Sequence, residues 1–143
     1  MGTISEHFSF AEFERSDVAK RHHIVNVVNT FEVRDSIMEL VESVLEPLRQ
    51  AWGKPLHINS GYRSPELNAH PAIGGAPTSQ HVKGEAADVA CDKPRDLARL
   101  AIELGLPFDQ LILYPTFVHF SHKFDGEQRG QILYAKSYKG RRV

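Results

Sequence analysis

His81 and Asp88 stand seven positions apart in the stretch SQHVKGEAADVAC, with Gly84 between them. If the second half of this stretch forms a strand, Asp88 shares a face with Ala86 and Ala90, whose small side chains leave space around the carboxylate. A carboxylate in such a place must be paired, solvated or bound to a metal. Gly84 permits the bend that brings His81 back over the same sheet.

A second histidine lies in the stretch FVHFSH. Strand alternation puts His119 on one face with Phe117 and Ser121, and His122 on the other face. Two imidazoles and one carboxylate suit zinc with three protein ligands and an open fourth position for water, which is the pattern of catalytic rather than structural zinc. From spacing alone two interpretations stay open, since His119 and Asp88 can equally be hydrogen-bonded structural residues.

Hydrophobic periodicity predicts the helices that must support these residues. Ser9 and Glu12 have the spacing of a capping box at the start of a short helix. An apolar stripe from Thr30 to Trp52 predicts a long helix, which Pro47 should kink or divide near Glu46. The stretch PRDLARLAIELG predicts a further helix, with Pro94 near its first turn and Gly105 after its end.

Alternating or short apolar runs predict the strands. These runs are LHINS, EAADVAC, QLILY, FVHFS and, as an edge strand, QILYAKSY. Pro115 and Thr116 between two of them indicate a tight hairpin. Helices followed mostly by strands predict an α+β fold, with helices packed on a small antiparallel sheet, in a single domain over residues 1–143.

Composition narrows the classes of partner. The 143 residues are 41% hydrophobic and 24% charged, and the net charge of −1 gives no reason to expect a nucleic acid or a membrane as partner. We expect a monomer. Cys91 is the one cysteine, so no internal disulfide forms. The N-terminus lacks the pattern of a secretory signal, and no apolar run approaches the roughly 20 residues that span a bilayer.

Three stretches together resemble a known enzyme family. SGYRSPELN, GGAPTSQHVKGEAADV and FDQLILYPTFVHFS are similar to zinc D-Ala-D-Ala carboxypeptidases and L-alanyl-D-glutamate endopeptidases, which include phage endolysins and share a fold with the hedgehog signalling domain. The family pattern is Ser-x-His-x-x-Gly-x-Ala-x-Asp, followed by a histidine in an apolar strand. Its positions are filled here by Ser79, His81, Gly84, Ala86, Asp88 and His119. Other segments resemble the compact phage and prophage members.

The resemblance implies a role for each matching residue. His81, Asp88 and His119 would bind zinc, and Arg63 would be the catalytic arginine that steadies the scissile carbonyl as negative charge develops. Ser79 would contact the substrate, although a turn residue that hydrogen-bonds its own backbone is an equal alternative. The implied substrate is a peptidoglycan stem peptide, cut next to a D-amino acid.

The general base is where this sequence departs from the family. Branches of the family carry an acidic residue at the position of Thr116 or of Tyr114, and neither residue is a good base at neutral pH. In the predicted hairpin Ile112 lies opposite His119, so Asp109 points away from His119 and is predicted to be structural. The base is therefore unassigned.

Two functions follow from these residues. The first is a zinc metallopeptidase, made in the cytoplasm and reaching the cell wall by phage-type release or on a virion. The second is a catalytically inactive, zinc-containing module that binds cell wall or forms part of a phage particle, because the fold alone does not imply the enzyme.

Overall fold

The computed structural model describes residues 2–143. Its helices are α1 (Phe10–Glu14), α2 (Asp17–Arg21), α3 (Phe31–Leu40), α4 (Glu46–Trp52), α5 (Pro65–Ala69) and α6 (Pro94–Glu103), with a π-helical segment at Val41–Leu45. Its strands are β1 (His57–Ser60), β2 (Ala86–Ala90), β3 (Gln110–Leu113), β4 (Phe117–Ser121) and β5 (Gln131–Tyr134). The predicted α+β class is confirmed. Within this part of the chain no helix is both long and apolar enough to cross a membrane.

The five strands form one sheet in the order β1-β2-β4-β3-β5. All neighbours are antiparallel except β3 and β5, which run parallel. The chain reverses after β4, so β5 runs antiparallel to β4 and therefore parallel to β3, whose free edge it covers. The predicted edge strand is present, and it makes the sheet mixed rather than purely antiparallel.

The helix predicted across Thr30 to Trp52 contains a wide turn. The Thr30 side chain caps its start by accepting a hydrogen bond from the backbone N–H of Val33 at 3.2 Å. The irregularity expected from Pro47 is the π-helical segment just before it, where the N–H of Glu46 donates to the carbonyl of Val41. A proline removes one helical donor, and the widened turn shifts the neighbouring hydrogen bonds past that gap.

The two faces of the sheet differ. One face packs against the helices and is fully buried at Ala87, Val89, Leu111, Leu113, Val118 and Phe120. The residues that alternate with them in β2, β3 and β4 lie on the opposite face, and these include Asp88, Ile112 and His119. The apolar core therefore dictates which side chains of these three strands face away from the helices.

The hairpin of β3 and β4 has the predicted register. Ile112 lies opposite His119, and the N–H of Tyr114 donates to the carbonyl of Phe117 at 3.0 Å. The register is uninterrupted along this pair. Asp109 lies just before β3, and its N–H donates to the carbonyl of Ser121 at 2.7 Å, so the regular pairing of the two strands does not extend to it.

Candidate metal centre

His81, Asp88 and His119 meet on the sheet face away from the helices. Asp88 and His119 are direct partners on β2 and β4, and Nδ1 of His119 lies 2.8 Å from Oδ1 of Asp88. His81 reaches the same atom from the preceding turn, with its Nε2 at 3.4 Å. Each residue offers one ligand atom, and these atoms lie within 4.8 Å of one another. We call these three residues the ligand cluster.

The second nitrogen of His81 fixes the orientation of its ring. Nδ1 of His81 lies 2.7 Å from the carbonyl oxygen of Gly61. A carbonyl only accepts hydrogen bonds, so Nδ1 carries the proton in the neutral ring and Nε2 presents a lone pair to Asp88. A lone pair aimed at a carboxylate is an arrangement that a cation between them would stabilise. Such a backbone acceptor behind a histidine is typical of metal ligands.

The charge states of His81 and Asp88 match what zinc requires. His81 is only 3% exposed, and this burial lowers its pKa and favours the neutral imidazole. Burial raises the pKa of Asp88, but the neighbouring imidazoles of His119 and His81 outweigh that effect and hold it well below its usual range. Zinc takes neutral imidazoles and ionised carboxylates, so this donor set fits the metal.

Gly84 ends the turn that carries His81. Its φ is +77°, a conformation that L side chains rarely adopt, and a Cβ there would lie 2.8 Å from the carbonyl oxygen of Val33. The turn thus passes against the start of α3 with no room for a side chain. The predicted need for glycine at this bend is confirmed, and its cause is close backbone approach as well as the bend itself.

Arg63 lies beside the ligand cluster in the segment between β1 and α5. Its N–H donates to the carbonyl of His81 at 3.1 Å. Its side-chain Nε is buried and has no hydrogen-bond partner among the described residues. A buried donor without a partner is uncommon, so this nitrogen is available to a ligand.

An open cleft of about 450 Å³ contains His119 and Arg63. Its walls are formed by Arg63, Gly75, Ala76, Thr78, Ser79, Gln80, Gln110, Ile112, His119 and Arg129. Ser79 lines the cleft, and its hydroxyl also accepts a hydrogen bond from the N–H of His81 at 3.2 Å. The substrate-contact and turn interpretations of Ser79 are therefore compatible with each other.

Asn26 is a site residue that the sequence did not reveal. Its amide nitrogen donates to the carbonyl of Tyr62 at 3.0 Å, and its amide oxygen accepts from the N–H of Ser64 at 2.7 Å. These two bonds hold the backbone on both sides of Arg63. Asn26 is 7% exposed and lies in a segment without helix or strand, so no periodicity pointed to it.

Asp109 is structural, as predicted. Its carboxylate is fully buried and accepts hydrogen bonds from Arg129 through the backbone N–H, Nε and a terminal nitrogen at 2.8, 3.0 and 2.7 Å. Gln80 donates to it from the cleft side at 3.1 Å. Burial raises the pKa of Asp109, but the bonds from Arg129 lower it to about 2. Neither Gln80 nor Arg129 was expected at the site.

No general base emerges at the family positions. Thr116 is exposed in the hairpin turn, and the ring of Tyr114 stacks on Phe117 with centroids 4.3 Å apart. His122 is buried, and its charged neighbours are Glu39 on the helical side, Glu85 and Asp109. Among the described residues that line the cleft, none is an aspartate or a glutamate.

The sequence of this chain was compared with known protein families and with curated proteins. Residues 6–122 match the family described as Peptidase M15. The matched range includes the whole ligand cluster and Arg63. A search of curated proteins finds no match.

Proposed function

This chain belongs to the peptidase M15 family, and from that premise we propose that it is a zinc metallopeptidase that hydrolyses peptidoglycan stem peptides as a D-Ala-D-Ala carboxypeptidase or an endopeptidase. Residues 1–143 would form one zinc peptidase domain that acts as a monomer, with no nucleic acid or membrane partner. Release by a phage-type route, or a place on a virion, would bring it to the cell wall.

The ligand cluster carries this proposal. His81, Asp88 and His119 would hold the zinc ion, since each offers one ligand atom and these atoms lie within 4.8 Å of one another. When bound, zinc supplies a Lewis acid that polarises a peptide carbonyl and lowers the pKa of water to about 7. The Gly61 carbonyl holds His81 in the tautomer that leaves Nε2 free to bind.

Arg63 would act on the substrate. Its unpartnered Nε can donate to the oxygen of the scissile carbonyl as that oxygen gains negative charge. A fixed cation in a partly buried place loses little reorganisation energy when it does so, and removing one such donor costs roughly 10²- to 10³-fold in kcat. Ser79, on the wall of the same cleft, would contact the peptide through its hydroxyl oxygen.

A second candidate function rests on a different observation. The cleft walls carry no carboxylate among the described residues, and Thr116 and Tyr114 replace the acidic residues of other family branches. A protein that binds zinc and peptidoglycan, but does not hydrolyse the peptidoglycan, would have a cleft with the same lining. This candidate is a zinc-containing cell-wall-binding or phage structural module.

One experiment separates the two candidates. Zinc-loaded protein is incubated with purified peptidoglycan fragments, and the products are identified by mass spectrometry against a chelator-treated control. The peptidase produces a new, chelator-sensitive fragment whose mass identifies the bond. Protein that carries about one zinc per chain and yields no product would instead support the binding module.

A further inference from the structure

Arg129 is the second cation of the cleft, and the family pattern assigns it no role. We infer that Arg129 recognises a carboxylate of the bound peptide, so that this chain selects anionic peptides over their amides. The inference rests on the proposed function for the peptide class, and it adds a specificity-determining residue to the site.

The guanidinium of Arg129 is held rigidly. Nε and one terminal nitrogen bind the two oxygens of Asp109 at 3.0 and 2.7 Å, in the bidentate geometry that fixes the plane of the group. The other terminal nitrogen has no acceptor among the described residues, and the side chain is 46% exposed. Arg129 therefore presents a fixed, partly free donor to the cleft.

Asp109 does not cancel this charge on the cleft side. Its side chain is fully buried behind Arg129, whereas Arg129 is half exposed on the wall. The Nζ of Lys123 lies 3.9 Å from the same carboxylate, so two cations share one buried anion. The local excess of charge is positive, and the positive groups lie nearer the solvent.

Both charged side chains on the cleft wall are cations, Arg63 and Arg129, and the rest of the wall is polar or apolar. The ionised Asp88 acts on Arg63, at the ligand cluster, so Arg129 is the cation that a peptide carboxylate can reach. Gln110 lies two residues along β3 from Ile112, which is roughly 7 Å, and its strand pairs with β5 just after Arg129. Since Ile112 lies opposite His119, Arg129 lies toward the start of β3, beyond Gln110 from the ligand cluster.

The test is a binding measurement on metal-depleted full-length protein, in which turnover does not interfere. The probes are three forms of one pentapeptide, L-Ala-γ-D-Glu-L-Lys-D-Ala-D-Ala: the free acid, its C-terminal amide, and the form with the D-Glu carboxylate amidated. Calorimetry at low salt gives Kd for each. We expect one amide to bind about 10-fold or more weakly than the acid, because a hydrogen bond to a charged group is lost. The affected amide identifies which carboxylate is bound.

The variants assign the preference to Arg129. Arg129→Gln leaves a buried carboxylate without its charged partner, so the double variant Arg129→Gln/Asp109→Asn removes both charges together. We expect the double variant to bind acid and amide equally, and the exposed control Arg99→Gln to keep the wild-type preference. Equal binding of all forms by wild type, a preference retained by the double variant, or no binding at all would each overturn the inference.

These outcomes are separate from those of the proposed function. Hydrolysis without any carboxylate preference would leave the peptidase standing and refute the role of Arg129. A carboxylate preference that depends on Arg129, without hydrolysis, would support the role of Arg129 and refute the peptidase.

Discussion

The carbonyl oxygen of Gly61 lies 2.7 Å behind Nδ1 of His81. Two residues further along the chain, the N–H of Arg63 donates to the carbonyl of His81. These two contacts hold the segment after β1 and the turn that carries His81 against each other. A Cβ on Gly61 would lie 2.8 Å from the Cα of Phe13, which shows how closely α1 supports this contact from behind. The ligand cluster thus depends on the N-terminal helix as well as on the sheet.

Replacing His81 by alanine should remove the metal. We expect His81→Ala to lose bound zinc, as measured by elemental analysis of the purified protein, together with any chelator-sensitive hydrolysis, because two ligands hold zinc poorly. His57→Ala, an exposed histidine on β1, should retain one zinc per chain. A His81→Ala protein that still carries stoichiometric zinc would disprove the ligand assignment.

Two glycines with similar φ but different surroundings form a matched pair. Gly105 has φ +66° and open space around it, whereas Gly84 has φ +77° and backbone within 2.8 Å of its Cβ position. Gly105→Ala should lower the free energy of unfolding by about 1 kcal/mol from backbone strain alone. Gly84→Ala should cost about 2 kcal/mol more, because α3 must also move. Urea denaturation measures both, and equal losses would mean that the turn has room for a methyl group.

Asn26→Ala should misplace Arg63. Two backbone groups around Arg63 lose their partners, which we expect to destabilise the fold by about 1–3 kcal/mol and to lower kcat more than it raises KM. The exposed Asn29→Ala is the control. If kcat of Asn26→Ala is unchanged at a temperature where the variant is folded, the two hydrogen bonds from Asn26 are not needed to position Arg63.

Tyr114→Glu should supply the missing base. Tyr114 follows β3 on the face of Ile112 and His119, the face that contains the ligand cluster. A carboxylate there can take a proton from water, a contribution typically worth about 10²-fold or more in rate. Tyr114→Gln has the same size without the charge. Equal rates for the Glu and Gln variants would show that a base at this position is not what limits turnover.

Glu46 gives a pH dependence of stability outside the site. Burial raises its pKa, but hydrogen bonds from Ser5 and His7 outweigh this and lower it from 4.5 to about 2. A carboxyl with a lowered folded pKa stabilises the protein above pH 4.5 and loses that effect as the pH falls toward 2. The gap in unfolding free energy between wild type and Glu46→Gln should shrink over that window. Glu42→Gln, at an exposed position in the adjacent π-helical turn, is the control variant.

Local patterns predicted much of this site. Strand period and turn length placed Ile112 opposite His119, because the register of a hairpin depends on these two properties. The role of Gly84 was predicted because a tight bend between His81 and the following strand favours a residue without a side chain. Each of these sequence patterns lies within a few residues of the side chain whose position it predicts.

The remainder depends on contacts between distant segments. Asn26 bonds to the backbone of Tyr62 and Ser64, and Asp109 bonds to Arg129, and these hydrogen bonds leave no periodic pattern in the sequence. The parallel pairing of β5 with β3 likewise depends on which edge of the sheet is free. The apolar pattern of a strand does not reveal which edge that is. Sequence therefore identified the candidate site residues better than it identified the residues that hold them in place.

Asp88 and His119 are neighbours because Ala87, Val89, Val118 and Phe120 on the opposite face fix the pairing of β2 and β4. A slip of one residue would bury the ligands and expose the core, so the core alone enforces the correct alignment. Architecture and chemistry can therefore be inherited separately. A descendant that exchanges Asp88 or His119 would lose a candidate ligand yet keep its strand alignment, and a later reversion would restore the same arrangement of the three side chains.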